Sequence, residues 1–187
     1  MGEIMDYKIN IMTQEDKEQI LAWDDSLFSV YNANYNEMLD YLYAKSLRDY
    51  FDRIEERTSG RIAEENRFSF VLKNFEGRIV SFMLCYLMKR DDEKKDLFIQ
   101  SIATHPHFRK QGYAETLLKE TLLNLTEYTN GVTHVDVGCF VDKKNENSFS
   151  LFSKLNFEFM RYNNQLSRVL KDYNEFISEF GHEEPEM

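Results

Sequence analysis

The chain has 187 residues, of which 42% are hydrophobic and 14% aromatic, which is enough to bury one core without disulfides or metal ions. Its formal net charge of -10 argues against an extended surface for nucleic acid or anionic lipid, so an anion site has to be local. The two cysteines, Cys85 and Cys139, lie far apart within apolar runs, which predicts two buried free thiols.

The sequence carries no signal for a membrane or for secretion. No apolar run is long enough to span a bilayer, and the first residues form neither a signal-peptide core nor a myristoylation motif. We therefore expect a cytoplasmic protein without a membrane partner. Because no repeat or flexible linker interrupts the chain, we predict one domain over residues 1–175 and an acidic tail over 176–187.

The N-terminal third predicts one strand and two helices. Polar and apolar residues alternate over Tyr7–Met12, which indicates a strand. Thr13 and Asp16 then have the spacing of a capping box, so a helix is predicted to run to about Leu27. Apolar residues recur at helical spacing over 36–57, which predicts a second, longer helix.

The middle of the chain predicts three strands. Runs 68–73 and 79–88 are rich in strand-forming residues, and Gly77 between them allows the positive φ of a hairpin turn. We expect these two strands to pair antiparallel. The charged run 91–96 is predicted to be solvated, and a third strand follows over 97–104.

The C-terminal half alternates helices and strands. Apolar residues at helical spacing predict a helix over 114–125, followed by an apolar strand over 132–141. A short helix over 147–155 and two closing strands over 157–162 and 166–170 complete the order βααβββαβαββ. This order predicts a mixed α/β domain.

The segment from Arg109 to Ala114 has the properties of an anion site. It follows a strand and opens a helix, whose free backbone N–H groups and positive dipole end attract negative charge. Gly112 and Ala114 are small enough to let a phosphate approach the backbone, and Arg109 and Lys110 add positive charge. A diphosphate would fit here, while the motifs of dinucleotide and nucleoside-triphosphate sites are absent.

These residues, with a second segment downstream, resemble the GNAT superfamily of N-acetyltransferases. The family's loop reads Gln/Arg-x-x-Gly-x-Gly/Ala between the fourth strand and a helix, and Arg109, Gly112 and Ala114 match its three fixed positions. The apolar strand end and proline at 102–106 also match the family. Six further residues follow the spacing of the family's Asn-x-x-Ala...Tyr-x-x-Leu-Gly-Phe segment: Asn145, Ser148, Phe152, Leu155, Asn156 and Phe157.

The resemblance implies a single GNAT-like domain of the α/β (α+β) class. Its mixed, mostly antiparallel central sheet would have about seven strands, be flanked by helices, and splay between strands four and five. Residues 1–66 would supply the N-terminal strand and the acceptor-side helices, and residues 97–160 the acyl-CoA-binding core. Acetyl-CoA is the implied co-substrate, with pantetheine running along the fourth strand. The implied cofactor-binding residues are Ile102, Ala103, Thr104, Arg109, Lys110, Gln111, Gly112, Tyr113, Ala114, Asn145, Ser148 and Phe152.

The same resemblance implies an enzyme that moves an acetyl group directly from acetyl-CoA to a primary amine of a small molecule or a protein. Phe152 stands where the family often has a tyrosine acid, and Gln100 where some members have a glutamate base, so no catalytic residue is assigned. Because a thiolate leaves readily, losing the acid would slow transfer rather than forbid it. A non-catalytic acyl-CoA-binding or regulatory module is the alternative, and an interaction domain without a cofactor is a third hypothesis.

The general base, the acceptor and the oligomeric state stay open, and a homodimer is compatible with the sequence. We predict no metal site, because His105 and His107 have no acidic partner at ligand spacing. Asn145 has a second plausible role, which is to cap the following helix. Aromatic residues of the N-terminal third are either core or acceptor-pocket residues: Trp23, Phe28, Tyr31, Tyr35, Tyr41 and Tyr43. Candidate bases are Tyr128, His134, Asp136, Cys139, Ser148 and Tyr162.

Overall fold

The computed structural model describes residues 7–23, 47–90, 94–164 and 166–181. In these ranges no helix is long and apolar enough to cross a membrane. The strands are β1 (Tyr7–Ile11), β2 (Arg67–Asn74), β3 (Ile79–Lys89), β4 (Lys95–Thr104), β5 (His134–Asp142), β6 (Glu158–Arg161) and β7 (Leu166–Asp172). The helices are α1 (Gln14–Leu21), α2 (Leu47–Thr58), α3 (Tyr113–Leu123), α4 (Leu125–Tyr128), α5 (Glu146–Lys154) and α6 (Tyr173–Phe180).

The strands form one mixed sheet in the order β1-β2-β3-β4-β5-β7-β6. Neighbours are antiparallel except β4 and β5, which run parallel and are paired only as far as Phe98 opposite Gly138. Beyond this point β4 continues to Thr104 while pairing with Ser81 of β3 on its other side. The two strands therefore separate, which confirms the predicted sheet and the splay between its fourth and fifth strands.

The N-terminal helices differ in extent from their predictions. Thr13 caps α1 as predicted, because its hydroxyl accepts from the Asp16 amide and the Asp16 carboxylate accepts from the Thr13 amide. The helix ends at Leu21 rather than near Leu27, and residues 24–27 lie outside the described ranges. Of the predicted second helix, 36–46 also lies outside them, and the described part begins at Leu47.

The charged run before β4 is not solvated throughout, in contrast to the prediction. Lys95 and Asp96 belong to the strand, and the Lys95 ammonium lies 2.5 Å from the side-chain oxygen of Asn66. Asp96 forms an ion pair of 3.5 Å with Arg90. These partners satisfy the two charges at the sheet, so the strand begins two residues earlier than the apolar pattern indicates.

The sheet carries a core on each face. The larger core packs α3, α5 and α6 on one face, and it contains the fully buried Leu117, Leu122 and Phe176. The smaller core packs α1 and α2 on the other face through Ile20 and Phe51. Helix α3 and the N-terminal helices therefore pack on opposite faces of the sheet.

Helix α6 was not predicted, and it covers residues 176–180 of the expected acidic tail. Phe176 is fully buried, and the nearby Glu175 and Glu179 form ion pairs with Lys171 of 3.6 and 2.8 Å. These carboxylates satisfy an ammonium that is only 5% exposed, so they hold the helix on the sheet. The short helix α4 was not predicted either, and residues 182–187 lie outside the described ranges.

Candidate active site at the splayed strands

The second half of β4 offers a free edge toward β5. A β-bulge makes Gln100 the extra residue of this strand, because Ser101 pairs with Leu84 and Ile99 with Cys85. In the described sheet, β5 makes no ladder pairs with β4 beyond Phe98. Backbone groups along this edge can therefore bind an extended ligand in the manner of an added strand.

Three residues that the sequence implicated in cofactor binding form the end of this edge. Ala103 and Thr104 are each 8% exposed, while Ile102 packs partly against the larger core. The Ser81 hydroxyl donates to the Ala103 carbonyl at 2.8 Å, and the Arg109 Nε–H donates to the Thr104 carbonyl at 3.4 Å. These contacts fix the strand end and tie it to the loop that follows.

The loop before α3 has the shape of an anion site. Lys110 and Gly112 have positive φ values of 61° and 84°, so the backbone turns sharply before the helix. Gly112 is the N-cap, no side chain caps the helix, and its first hydrogen bond runs from the Thr116 amide to the Gly112 carbonyl. A Cβ at position 112 would meet no atom within 4 Å, so the space above it is open. A phosphate group fits these residues.

The other loop residues contribute in different ways. Lys110 and Gln111 are exposed, and the side-chain Nε2 of Gln111 donates to the His107 carbonyl at 3.4 Å. Tyr113 is only 7% exposed, and its ring packs in the larger core. Ala114 is half-buried in the first turn. The loop therefore presents backbone groups together with the charges of Arg109 and Lys110.

The second implicated segment has structural contacts of its own. The Asn145 side chain caps α5 by accepting from the Ser148 amide at 3.1 Å. Phe152 is 2% exposed, and its ring packs against Phe157 with centroids 5.1 Å apart. Phe152 is therefore a core residue in this structure.

A cavity of about 220 Å³ adjoins the bulge on the face covered by α1 and α2. Gln100 and Tyr86 line it on the sheet side, and Glu64 and Arg67 line it before and within β2. The cavity also reaches Glu55, which is ion-paired with Lys17 at 3.2 Å. Sequence reasoning missed Glu64, Arg67 and Tyr86, because only strand pairing brings them beside Gln100.

His134, one of the candidate bases, is held in its neutral form. The Thr129 hydroxyl donates to the Leu125 carbonyl at 2.8 Å, so the His134 ring must donate to that hydroxyl through Nε2. Its Nδ1 atom is buried without a hydrogen-bond partner. Burial, and then the charge of Lys95, lowers the pKa of His134 to about 4. A proton on Nδ1 would place an unsatisfied charge in the core.

The remaining candidates also have structural contacts. Cys85 and Cys139 are buried free thiols as predicted, and burial raises the pKa of both. Tyr128 packs against Phe70, and Asp136 is ion-paired with Arg90 at 3.4 Å. Tyr162 is 59% exposed, and its ring is tilted against that of Phe140. In the part of the chain that the structure describes, no three His, Cys, Asp or Glu side chains are grouped to hold a metal ion.

The sequence and the fold are both similar to those of known acetyltransferases. The family model described as "Acetyltransferase (GNAT) family" matches residues 25–157. Among solved structures, the spermidine N-acetyltransferase of Vibrio cholerae in complex with CoA and spermine has a TM-score of 0.62 at 15% identity, covering 91% of this chain and 98% of that one. The ribosomal-protein-S18-alanine N-acetyltransferase of Escherichia coli has a TM-score of 0.55 at 14% identity, with coverages of 89% and 94%. A search of curated proteins finds no match. At such identities a structural likeness establishes the fold alone.

Proposed function

The chain belongs to the GNAT acetyltransferase family, whose co-substrate is acetyl-CoA, and we propose that it transfers the acetyl group directly to a primary amine. The acceptor amine belongs to a small molecule or to a protein. One observation carries the proposal: β4 has a free edge beyond Phe98, and the same strand leads directly into an open glycine loop at a helix N-terminus. A long ligand with a diphosphate at one end matches this succession of sites.

We propose that the loop binds the pyrophosphate of the donor. The free backbone N–H groups before Thr116 would donate hydrogen bonds to the phosphate, and the positive end of the α3 dipole would stabilise its charge. Gly112 leaves room for the phosphate oxygens. Lys110 is exposed beside them, and Arg109 connects the loop to the strand end. The pantetheine arm would then extend along Ile102 to Thr104, with the thioester in the gap between β4 and β5.

The chemistry requires a neutral amine, which attacks the thioester carbonyl as the C–S bond breaks and the thiolate leaves. Phe152 cannot donate a proton to that thiolate, and none is needed at the moment of departure because a thiol has a pKa near 8.5. Gln100 cannot accept the proton of the ammonium. Of the carboxylates lining the cavity, Glu55 is already paired with Lys17, so we assign the proton to Glu64, acting through water.

The test of the proposal is acceptor-dependent release of CoA thiol over a panel of amines and N-terminal peptides. We expect release with at least one class of amine, and a lower kcat in Glu64→Gln with a smaller loss at high pH, where the amine is already neutral without the base. The neighbouring Glu65→Gln is the matched control, since Glu65 is also exposed. Equal rates in Glu64→Gln would remove Glu64 from the mechanism. A protein that binds CoA but releases no thiol with any amine would be a non-catalytic acyl-CoA-binding module.

A further inference from the structure

Four aromatic side chains form a continuous row across the sheet where β4 and β5 separate. Tyr86 stacks on Phe98 with ring centroids 5.0 Å apart, and Phe98 lies 5.7 Å from Phe140. Phe140 in turn lies 4.6 Å from Tyr162. We call these four residues the aromatic row. It passes from β3 through β4 and β5 to the residue that follows β6.

The outer half of the aromatic row is open to solvent. Phe140 is 41% exposed and Tyr162 is 59% exposed, and neither belongs to a core cluster. Met160, which is 39% exposed, extends the same apolar surface on β6. Because exposed aromatic side chains in contact with each other cost solubility, such a surface beside a reaction centre indicates a ligand with an apolar part.

The row lies on the acceptor's side of the reaction centre. Leu97 and Cys139 alternate with Phe98 and Phe140 along their strands, and they pack in the core beneath α3. The row therefore faces away from the helix whose N-terminus forms the anion loop. A donor bound from the side of α3 leaves this opposite face for the acceptor.

The cavity and the row form one surface, because Tyr86 belongs to both. Gln100 at the inner end of the cavity adjoins the gap between the strands, so an amine there would be near the thioester. On the row itself, the residue opposite Phe140 is an exposed arginine, Arg168, rather than a carboxylate. A second positive charge on the acceptor would meet that guanidinium.

We infer that the aromatic row binds the group next to the acceptor's amine, and that this group is aromatic or apolar rather than a second cation. The inference rests on the proposed function and adds the chemical class of the acceptor. Ring contacts with Phe140 and Tyr162 would position the amine over the gap. The second ammonium of a polyamine would lie near Arg168 and would have no carboxylate partner opposite Phe140.

The experiment measures binding of 2-phenylethylamine and of spermidine to the CoA-loaded protein by calorimetry. We expect 2-phenylethylamine to bind about tenfold more tightly. Phe140→Ala and Tyr162→Ala should each weaken its binding roughly five- to tenfold, the range that single aromatic contacts give, with unchanged affinity for CoA. Phe75→Ala is the matched control, because Phe75 is 78% exposed in the β2–β3 turn and should have no effect. Truncating these exposed rings leaves both cores intact.

Three results would overturn the inference: spermidine binding as tightly as 2-phenylethylamine, no detectable binding of 2-phenylethylamine, or undiminished binding in both row variants. Thiol release by the same preparations is read separately. Turnover of polyamines at full rate in Phe140→Ala would reject the acceptor class while keeping the acetyltransferase. Absence of thiol release with every amine would reject the proposed transfer, whatever the calorimetry gives.

Discussion

Replacing Gly112 by aspartate places a carboxylate at the N-terminus of α3, on the side where we propose that the pyrophosphate binds. A side chain at this position has open space, since a Cβ would meet no atom within 4 Å. The fold should therefore tolerate the substitution sterically. The backbone penalty for a side chain at φ 84° is about 1 kcal/mol of unfolding free energy, and it is smallest for asparagine and aspartate.

The electrostatic effect follows from the short distance to a bound phosphate. Two like charges about 4 Å apart repel by about 1 kcal/mol in bulk water and by about 4 kcal/mol at the effective dielectric of a protein surface. This range corresponds to a loss of CoA affinity from about fivefold to several hundredfold. Gly112→Asn has the same shape and the same backbone penalty, so the difference between Gly112→Asp and Gly112→Asn isolates the charge.

Calorimetric titration with CoA measures these affinities. Gly77→Asp is the control, because Gly77 has nearly the same φ of 77° and equally open space but lies in the β2–β3 hairpin. We expect Gly112→Asp to bind CoA far more weakly than Gly112→Asn, with a smaller difference at high salt, and Gly77→Asp to bind as wild type does. Equal affinities for Gly112→Asp and Gly112→Asn would refute the placement of the pyrophosphate.

Three further predictions concern residues near the site. Because the pKa of His134 is lowered from 6.5 to about 4 on folding, the unfolded chain binds the extra proton between these values, so stability falls as the pH drops through them. Urea titrations should show a loss of roughly 2 to 4 kcal/mol that is reduced in His134→Gln, and an equal pH dependence in that variant would contradict the assignment. Phe152→Tyr should bury a hydroxyl in the core, so we expect the free energy of unfolding to fall by about 1 to 3 kcal/mol and the melting temperature to fall with it. We expect no increase in kcat. A faster enzyme would show that the side chain at position 152 reaches the thiolate. Asn145→Ala should lose about 1 kcal/mol with its helix cap, whereas Asn145→Asp should keep both cap and CoA affinity; weak CoA binding by a stable Asn145→Asp would assign Asn145 to the ligand.

The features that sequence predicted well depend on residues close together in the chain. The capping box of Thr13 and Asp16 and the hairpin at Gly77 are local patterns, and both are found in the structure. The loop at Gly112 was predicted as an anion site for the same reason. Its N-cap position, positive φ and open space are properties of that residue and its immediate neighbours.

The features that sequence missed depend on which charged groups the fold buries. The acidic residues around Phe176 indicate a tail, because their spacing from Lys171 does not show that this ammonium is buried and needs Glu175 and Glu179 as partners. In the same way, Lys95 was assigned to a solvated run because its partner, Asn66, lies 29 residues away in sequence. Charges that are satisfied by distant partners cannot be told from solvated ones by composition.

The surface formed by the cavity and the aromatic row could not be predicted from the sequence, because strand register brings its residues together. Tyr86 faces Phe98 only because β3 and β4 pair antiparallel in this register, and the extra residue Gln100 shifts that register farther along the strand. Glu64 and Arg67 line the same cavity because β2, which begins at Arg67, pairs with β3. A one-residue slip would direct these side chains to the opposite face.

The central claim is that the donor lies along the free edge of β4 with its pyrophosphate on the loop before α3. Amide hydrogen exchange with and without CoA tests it most directly, because it reads both backbone segments in one measurement. We predict slower exchange at residues 99–104 and 110–115 when CoA is added, with no change in the 74–78 turn. CoA binding that leaves exchange at 99–104 and 110–115 unaltered would contradict the account.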